Sequence, residues 1–180
     1  MSRVRERDRD VPGVAEVAFR GLPGHPLHPP LTDATIGMFV LATGLAVIGA
    51  AGVIEDKAGP AAWLALIGGL IAAAPTVATG FAEWITLTWG SVVWRTATWH
   101  LGAMLTALVL FALAAWQQHP GYEAGDVTTG GLVLTLLGMA VMTVGGWLGG
   151  SVVFVHGVRV VDHPARNEKK GVDAGWNGQR

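Results

Sequence analysis

The sequence contains no cysteine, and this absence excludes several kinds of chemistry. Without thiols the chain can form no disulfide, no thiolate metal site, no cysteine-bound iron–sulfur cluster and no covalently attached haem c. Charge is also scarce, because charged residues make up 14% of the 180-residue chain and hydrophobic residues 51%, which is typical of a membrane protein. No basic stripe follows the chain, so nucleic acid is not an expected partner.

Long segments without Asp, Glu, Lys or Arg occur four times, at residues 34–54, 61–82, 96–116 and 127–155. A helix of about 20 residues rises roughly 30 Å, the thickness of the hydrocarbon core, so each segment can cross a membrane once. We predict spans at about residues 34–54, 61–83, 97–117 and 130–155. The connections between them are short, which makes successive helices antiparallel. The predicted fold is an all-α, integral membrane four-helix bundle with up-down-up-down topology.

The predicted membrane domain covers residues 24–161. Residues 1–23, where basic and acidic residues alternate, are predicted to form a disordered N-terminal arm, and the charged, glycine-rich residues 162–180 a disordered tail. No internal repeat is evident. We call the membrane face that holds both termini side A and the opposite face side B. Every Lys and Arg except Lys57 falls on side A, so the positive-inside rule predicts that both termini are cytoplasmic.

Histidines are concentrated at side A. His28 precedes the first span, His100 opens the third and His156 closes the fourth, which puts them at similar depth in an antiparallel bundle. Glu83 ends the second span at the same level. Imidazole is a common ligand of haem iron and of metal ions, and helices of a bundle can bring ligands together. We therefore predict either one b-type haem held by two of the three histidines or a zinc, iron or copper ion held by all four side chains.

Two further side chains, His25 and Asp33, are expected to orient these ligands from outside. Side B offers only His119, so a pair of stacked haems is not expected. The alternative is that the histidines hydrogen-bond loops and helix ends, as in a cofactor-free structural or assembly subunit of a membrane complex. No nucleophile–base pair or phosphate-binding loop is evident, so we do not expect an enzyme that acts by itself.

Glycines in the fourth span form two pairs of small residues, each four positions apart: Gly145 with Gly149, and Gly146 with Gly150. This spacing lets helix backbones approach closely. The pattern predicts a helix-packing face, which would serve either a neighbouring helix of the bundle or a second copy of the chain in a homodimer.

Several of these motifs occur together in one known family. The order GHPLHP, GFAEW, RTATWH and GGWLGGSVVFVHGVRV over residues 24 to 161 resembles the bacterial membrane proteins grouped as domain of unknown function 2231. The resemblance implies a four-helix domain in the bacterial inner membrane, sometimes found beside iron–sulfur or cytochrome partners, and hence redox or other membrane subunits as partners. The family's pattern of residues corresponds in this chain to His25, His28, Glu83, His100 and the GGWLGG run with Gly157.

Overall fold

The computed structural model describes residues 25–54 and 56–160, together with Val17, Phe19 and Gly21. Apart from those three positions the predicted N-terminal arm lies outside the described residues, and so does the whole predicted tail. Within the described part the chain forms four helices, α1 (His28–Ala50), α2 (Ala58–Trp84), α3 (Val92–Ala124) and α4 (Thr129–Phe154). All four are long and apolar enough to cross a membrane. The prediction of an all-α four-helix membrane bundle is confirmed.

α2 and α3 extend past both ends of the uncharged segments that predicted them, and α1 begins before its segment, so Asp33, Glu83 and Arg95 all lie within helices. α4 stays within its segment. Ionisable side chains near a helix end can reach headgroups or water, so charge marks the limit of the hydrocarbon core rather than the end of the helix. Capping sets two of the actual ends. The Ser91 hydroxyl accepts a hydrogen bond from the Trp94 amide before α3, and the Thr128 hydroxyl accepts one from the Gly131 amide before α4.

Packing is closest within two helical hairpins, α1 with α2 and α3 with α4. The hairpins join through α2 and α3, and a smaller contact between α1 and α4 completes the bundle, so α1 and α3 lie diagonally opposite each other. Successive helices are antiparallel. Side A therefore holds the first residues of α1 and α3 and the last residues of α2 and α4.

The centre of the bundle is a pair of phenylalanine rings from the two diagonal helices. Phe39 of α1 and Phe111 of α3 stack face to face, with ring centroids 3.9 Å apart and planes 5° apart. Each ring lies over a glycine of its hairpin partner. A β-carbon would meet the Phe39 ring at 2.6 Å if placed on Gly69, and the Phe111 ring at 2.9 Å if placed on Gly138. Small residues thus let the helices approach closely, as van der Waals packing between membrane helices requires.

Candidate functional site

His28 is the first residue of α1, and its imidazole lies half-buried against the last turns of α2. Its Nδ1 is 3.1 Å from the main-chain oxygen of Thr76 and 3.4 Å from the Thr79 hydroxyl. Gly80 makes room for the ring, because a β-carbon there would come within 2.6 Å of Cε1. The ring therefore links the two helices of the first hairpin at side A.

His100 lies in the third turn of α3 and makes the same contacts with α4. Its Nδ1 is 2.7 Å from the main-chain oxygen of Gly145. A β-carbon on Gly149 would come within 2.8 Å of Cε1, so this glycine makes room for the ring as Gly80 does for His28. The ring of each histidine thus packs against a glycine of the next helix, and its Nδ1 forms a hydrogen bond with a main-chain oxygen of that helix.

These matching contacts belong to an internal repeat. The offset from α1 to α3 is 72 residues, from His28 to His100 and from Phe39 to Phe111, and the offset from α2 to α4 is 69, from Gly69 to Gly138 and from Gly80 to Gly149. The carbonyls that accept the histidine bonds obey the same offset. The two hairpins are therefore equivalent units, related by a pseudo-two-fold axis that runs along the bundle.

Burial follows the repeat as well. The four buried residues of α1 have buried equivalents in α3, and the five buried residues of α4 have buried equivalents in α2. The pairs are Thr35 with Ala107, Phe39 with Phe111, Ala42 with Ala114, Ala46 with Gln118, Ala62 with Gly131, Leu66 with Thr135, Gly69 with Gly138, Ala73 with Met142 and Thr76 with Gly145. The expectation of no internal repeat was wrong. Identical His-to-Phe and Gly-to-Gly spacings in the two halves were the signal that could have revealed it.

The hydrogen bonds determine which ring nitrogen is available in each histidine. A carbonyl oxygen can only accept, so Nδ1 carries the proton in both rings, and a neutral ring then has its lone pair on Nε2. The Thr32 hydroxyl lies 3.5 Å from Nε2 of His28, but it donates its one hydrogen to the His28 carbonyl at 2.9 Å. Both Nε2 atoms are therefore available as ligands.

The other two predicted ligands have partners elsewhere. His156 lies just beyond the end of α4, where its Nε2 is 3.2 Å from the Thr96 hydroxyl. The Oε1 of Glu83 is buried and makes no hydrogen bond within the described residues, but the Arg159 Nε lies 3.4 Å away and pairs with it. Within the described part of the chain, no group of three or more His, Cys, Asp or Glu side chains could hold a metal ion.

The sequence model of a family described as "Predicted membrane protein (DUF2231)" matches residues 24–162. The chain belongs to the DUF2231 family. No match was found among curated proteins or among solved structures. Family membership and the four apolar helices together make this DUF2231 chain a membrane protein.

The remaining predicted residues of the DUF2231 bundle divide into inward and outward positions. His25 and Asp33 are exposed. Gly145 packs against Met104 and Gly149 against His100, both within the bundle. A β-carbon on Gly146 would meet nothing within 4 Å, and one on Gly150 would meet only Phe154 of the same helix end, at 3.9 Å. One of the two glycine pairs thus forms part of the histidine site, and the other faces outward.

Proposed function

We propose that the protein binds one b-type haem between α1 and α3, near side A, with His28 and His100 as the two axial ligands, and that it serves as a redox component of a membrane. The observation that carries the proposal is the equivalence of the two histidines. Both donate Nδ1–H to a main-chain oxygen, at 3.1 Å and 2.7 Å; among the described residues Nε2 of His100 has no hydrogen-bond partner and Nε2 of His28 has only the Thr32 hydroxyl, at 3.5 Å. A hydrogen bond of this kind fixes the tautomer and the orientation of a ligating imidazole.

The symmetry of the bundle relates the two residues that would hold the haem. His28 and His100 lie on opposite sides of the pseudo-two-fold axis, one on each of the diagonal helices. Phe39 and Phe111 meet about 16 Å farther along the helices, by the rise of 1.5 Å per residue. The inward positions between the two levels include Thr35 and Ala107, both of which are buried.

A haem suits these side chains better than a bare metal ion. A protein site for zinc takes three or four ligands from the chain, whereas a porphyrin supplies four nitrogens itself and needs only two axial ligands. Glu83 is paired with Arg159 and His156 is bonded to Thr96, so neither is free to complete a four-ligand site. The repeat offers no second site, because at side B the equivalent core residues are Ala46 and Gln118.

The charge pattern supports a location and an orientation for the proposed haem. Side A carries every Lys and Arg except Lys57, so in a bacterial inner membrane it would face the cytoplasm. The haem would then lie in the half of the bundle nearer the cytoplasm. Electron exchange with a redox subunit on that side is the function this position favours.

A cofactor-free structural or assembly subunit is the second candidate. It is favoured by the fact that each histidine already joins two helices through its Nδ1 bond, a contact that stabilises a hairpin whether or not Nε2 binds iron. In that function the protein would be colourless, and removal of either imidazole would lower stability or partner capture without altering a spectrum.

The visible spectrum of the detergent-purified protein separates the two functions. We expect oxidised and dithionite-reduced spectra of a six-coordinate b-type haem, with about one haem per chain after reconstitution with hemin. His28→Ala and His100→Ala should each abolish the six-coordinate spectrum, and His156→Ala, the matched control at the same membrane face, should retain it. A wild-type protein that stays colourless and takes up no hemin would overturn the haem proposal.

A further inference from the structure

The turn that follows α4 contains two residues in the left-handed backbone region. Gly157, at φ +69°, ends the helix, because its amide and the amide after it donate to the Val153 and Val152 carbonyls, at 3.0 and 3.2 Å, in a Schellman motif. Two residues later Arg159 has φ +62°. Glycine adopts this conformation freely, but a residue with a β-carbon rarely does, so the backbone at Arg159 is strained.

The internal repeat provides a direct comparison for this position. With the offset of 69 residues, the equivalent of Arg159 is Gly90, which has φ +73° in the turn between α2 and α3. Both turns are closed in the same way, because the residue after the left-handed one donates its amide hydrogen to the carbonyl three residues earlier, at 3.2 Å in each. The first turn thus has glycine where the backbone is left-handed and the second has arginine. The side chain of Arg159 is therefore expected to offset the strain in its backbone.

The Arg159 side chain extends across the bundle to the end of α2. Its Nε lies 3.4 Å from Oε1 of Glu83, the next-to-last residue of that helix. This oxygen is buried and makes no hydrogen bond within the described residues, so the ion pair compensates its charge. α2 and α4 lie on the second diagonal of the bundle, where helices are not packed closely. The ion pair therefore joins two helix ends that helix packing leaves apart.

Two hydrogen bonds connect the same helix ends to α3. The Nε2 of His156, which precedes Gly157, is 3.2 Å from the Thr96 hydroxyl, and the Trp84 indole, which follows Glu83, donates to the Thr98 hydroxyl at 2.9 Å. The ends of α2 and α4 are thus each bonded to the first two turns of α3, and they are bonded to each other by the ion pair. The three contacts form a closed triangle at side A.

We propose that residues 156–160 form a clasp at side A that opens and closes, held shut by the Glu83–Arg159 ion pair against the backbone strain at Arg159. A residue in a strained conformation keeps it only while surrounding contacts hold it there, and such residues occur in switch regions. With the pair intact, the ends of α2, α3 and α4 stay joined. With the pair broken, the strain favours a relaxed backbone, and the segment leaves the surface of α2 and α3. The clasp needs no bound haem, so its test is independent of the haem proposal.

A cysteine in place of Val158 measures how often the clasp is open. The chain has no cysteine of its own and Val158 is half-buried, so Val158→Cys should react with a maleimide mainly when the segment has left the surface. In this background, Glu83→Gln should raise the labelling rate of the detergent-purified protein at least about tenfold, which corresponds to about 1.4 kcal/mol. Arg95→Gln, which removes the charge of an exposed residue at the same face, serves as the control and should leave the rate unchanged.

Two substitutions of Arg159 separate the ion pair from the strain. Arg159→Gly and Arg159→Ala both remove the pair, but only glycine adopts the left-handed conformation without strain, as Gly90 does in the equivalent turn. Labelling should therefore be faster in Arg159→Ala than in Arg159→Gly. The clasp would be overturned by a Glu83→Gln rate equal to that of its parent, by equal rates in the two Arg159 variants, or by faster labelling that appears only with loss of the helical circular dichroism signal.

Discussion

At the scale of single residues, two glycines determine whether the histidines can occupy their positions. Gly80 and Gly149 are not flexible points in the chain, since both lie within helices. Each is required because an imidazole occupies the space of its missing side chain. The same substitution at Gly146, three residues before Gly149, would meet nothing within 4 Å, so this position serves as an internal control.

Gly149→Ala is expected to displace His100. A β-carbon would lie 2.8 Å from Cε1 and 2.9 Å from Nδ1, so the ring must move and its bond to the Gly145 carbonyl must lengthen or break. Overpacking of this kind costs about 1–3 kcal/mol in unfolding free energy. The measurement is the unfolding midpoint in mixed micelles, together with hemin uptake.

The matched control for this variant is Gly146→Ala, at an exposed position where a β-carbon meets nothing within 4 Å. It adds the same methyl group to the same helix and should leave both the midpoint and hemin uptake unchanged. Equal changes in unfolding midpoint and hemin uptake in the two variants would contradict the packing of the His100 ring against Gly149.

Residue types and depth were predictable, but side-chain direction was not. His28 is the first residue of α1 and His100 lies in the third turn of α3, and distance along the chain is enough to assign both to the side A half of the bundle. Whether His156 also points into the bundle depends on the chain direction after the last turn of α4, where backbone hydrogen bonds no longer follow one pattern. The sequence alone therefore could not separate His156, which contacts Thr96, from the other two.

At the scale of helices and hairpins, the repeat makes a prediction about matched substitutions. Gly69→Ala should collide with Phe39 and Gly138→Ala with Phe111, at 2.6 and 2.9 Å, and both should separate the stacked rings. Each is expected to lower the free energy of unfolding by about 1–3 kcal/mol. Gly102→Ala, on α3 with open space around it, serves as the control.

The two collisions act on one ring pair, so they should not be independent. Once the first substitution has moved a ring, the second has less contact left to disrupt. The double variant should therefore lose less stability than the sum of the single losses, as contacting sites usually do. Additive losses, measured as unfolding midpoints in the same micelles, would show that the rings do not form one shared core.

Helix number was predictable because a membrane makes uncharged length a strong signal, but helix ends were not. α3 continues to Ala124 past the predicted end at residue 117, and the turn after it is held by Gln118. Its side chain donates to the Asp126 carbonyl and accepts from the Thr128 amide, at 2.7 and 3.0 Å. A glutamine at the end of an apolar segment predicts the start of a loop, whereas Gln118 is a buried residue of the helix.

At the scale of the whole molecule, orientation in the membrane is the property that the charge pattern predicts. The chain has no cysteine, so single cysteines can report which face is exposed. Thr88→Cys, in the side A connection between α2 and α3, should react with an impermeant maleimide only after the membrane is opened. Glu123→Cys, exposed at the side B end of α3, should react in intact spheroplasts. The reverse pattern would place the histidines at the outer face.

The internal repeat of the two hairpins is not evident from the sequence, and the reason is physical. Membrane-facing positions accept many apolar residues, and equivalent core positions share burial rather than residue type, as Leu66 with Thr135 and Ala73 with Met142 illustrate. Besides Leu41 with Leu113, Ala42 with Ala114 and Gly49 with Gly121, the positions identical in both halves are the histidines, the phenylalanines and the glycines against which their rings pack. Those positions coincide with the proposed site and with the ring pair beneath it.

Low-temperature electron paramagnetic resonance of the oxidised, hemin-loaded protein tests most directly whether His28 and His100 meet through one iron. Two imidazole ligands make ferric haem low-spin, so wild type should give a low-spin signal that becomes high-spin in His28→Ala and stays low-spin in His156→Ala. A high-spin signal from wild type, or a low-spin signal that persists without His28, would contradict the account.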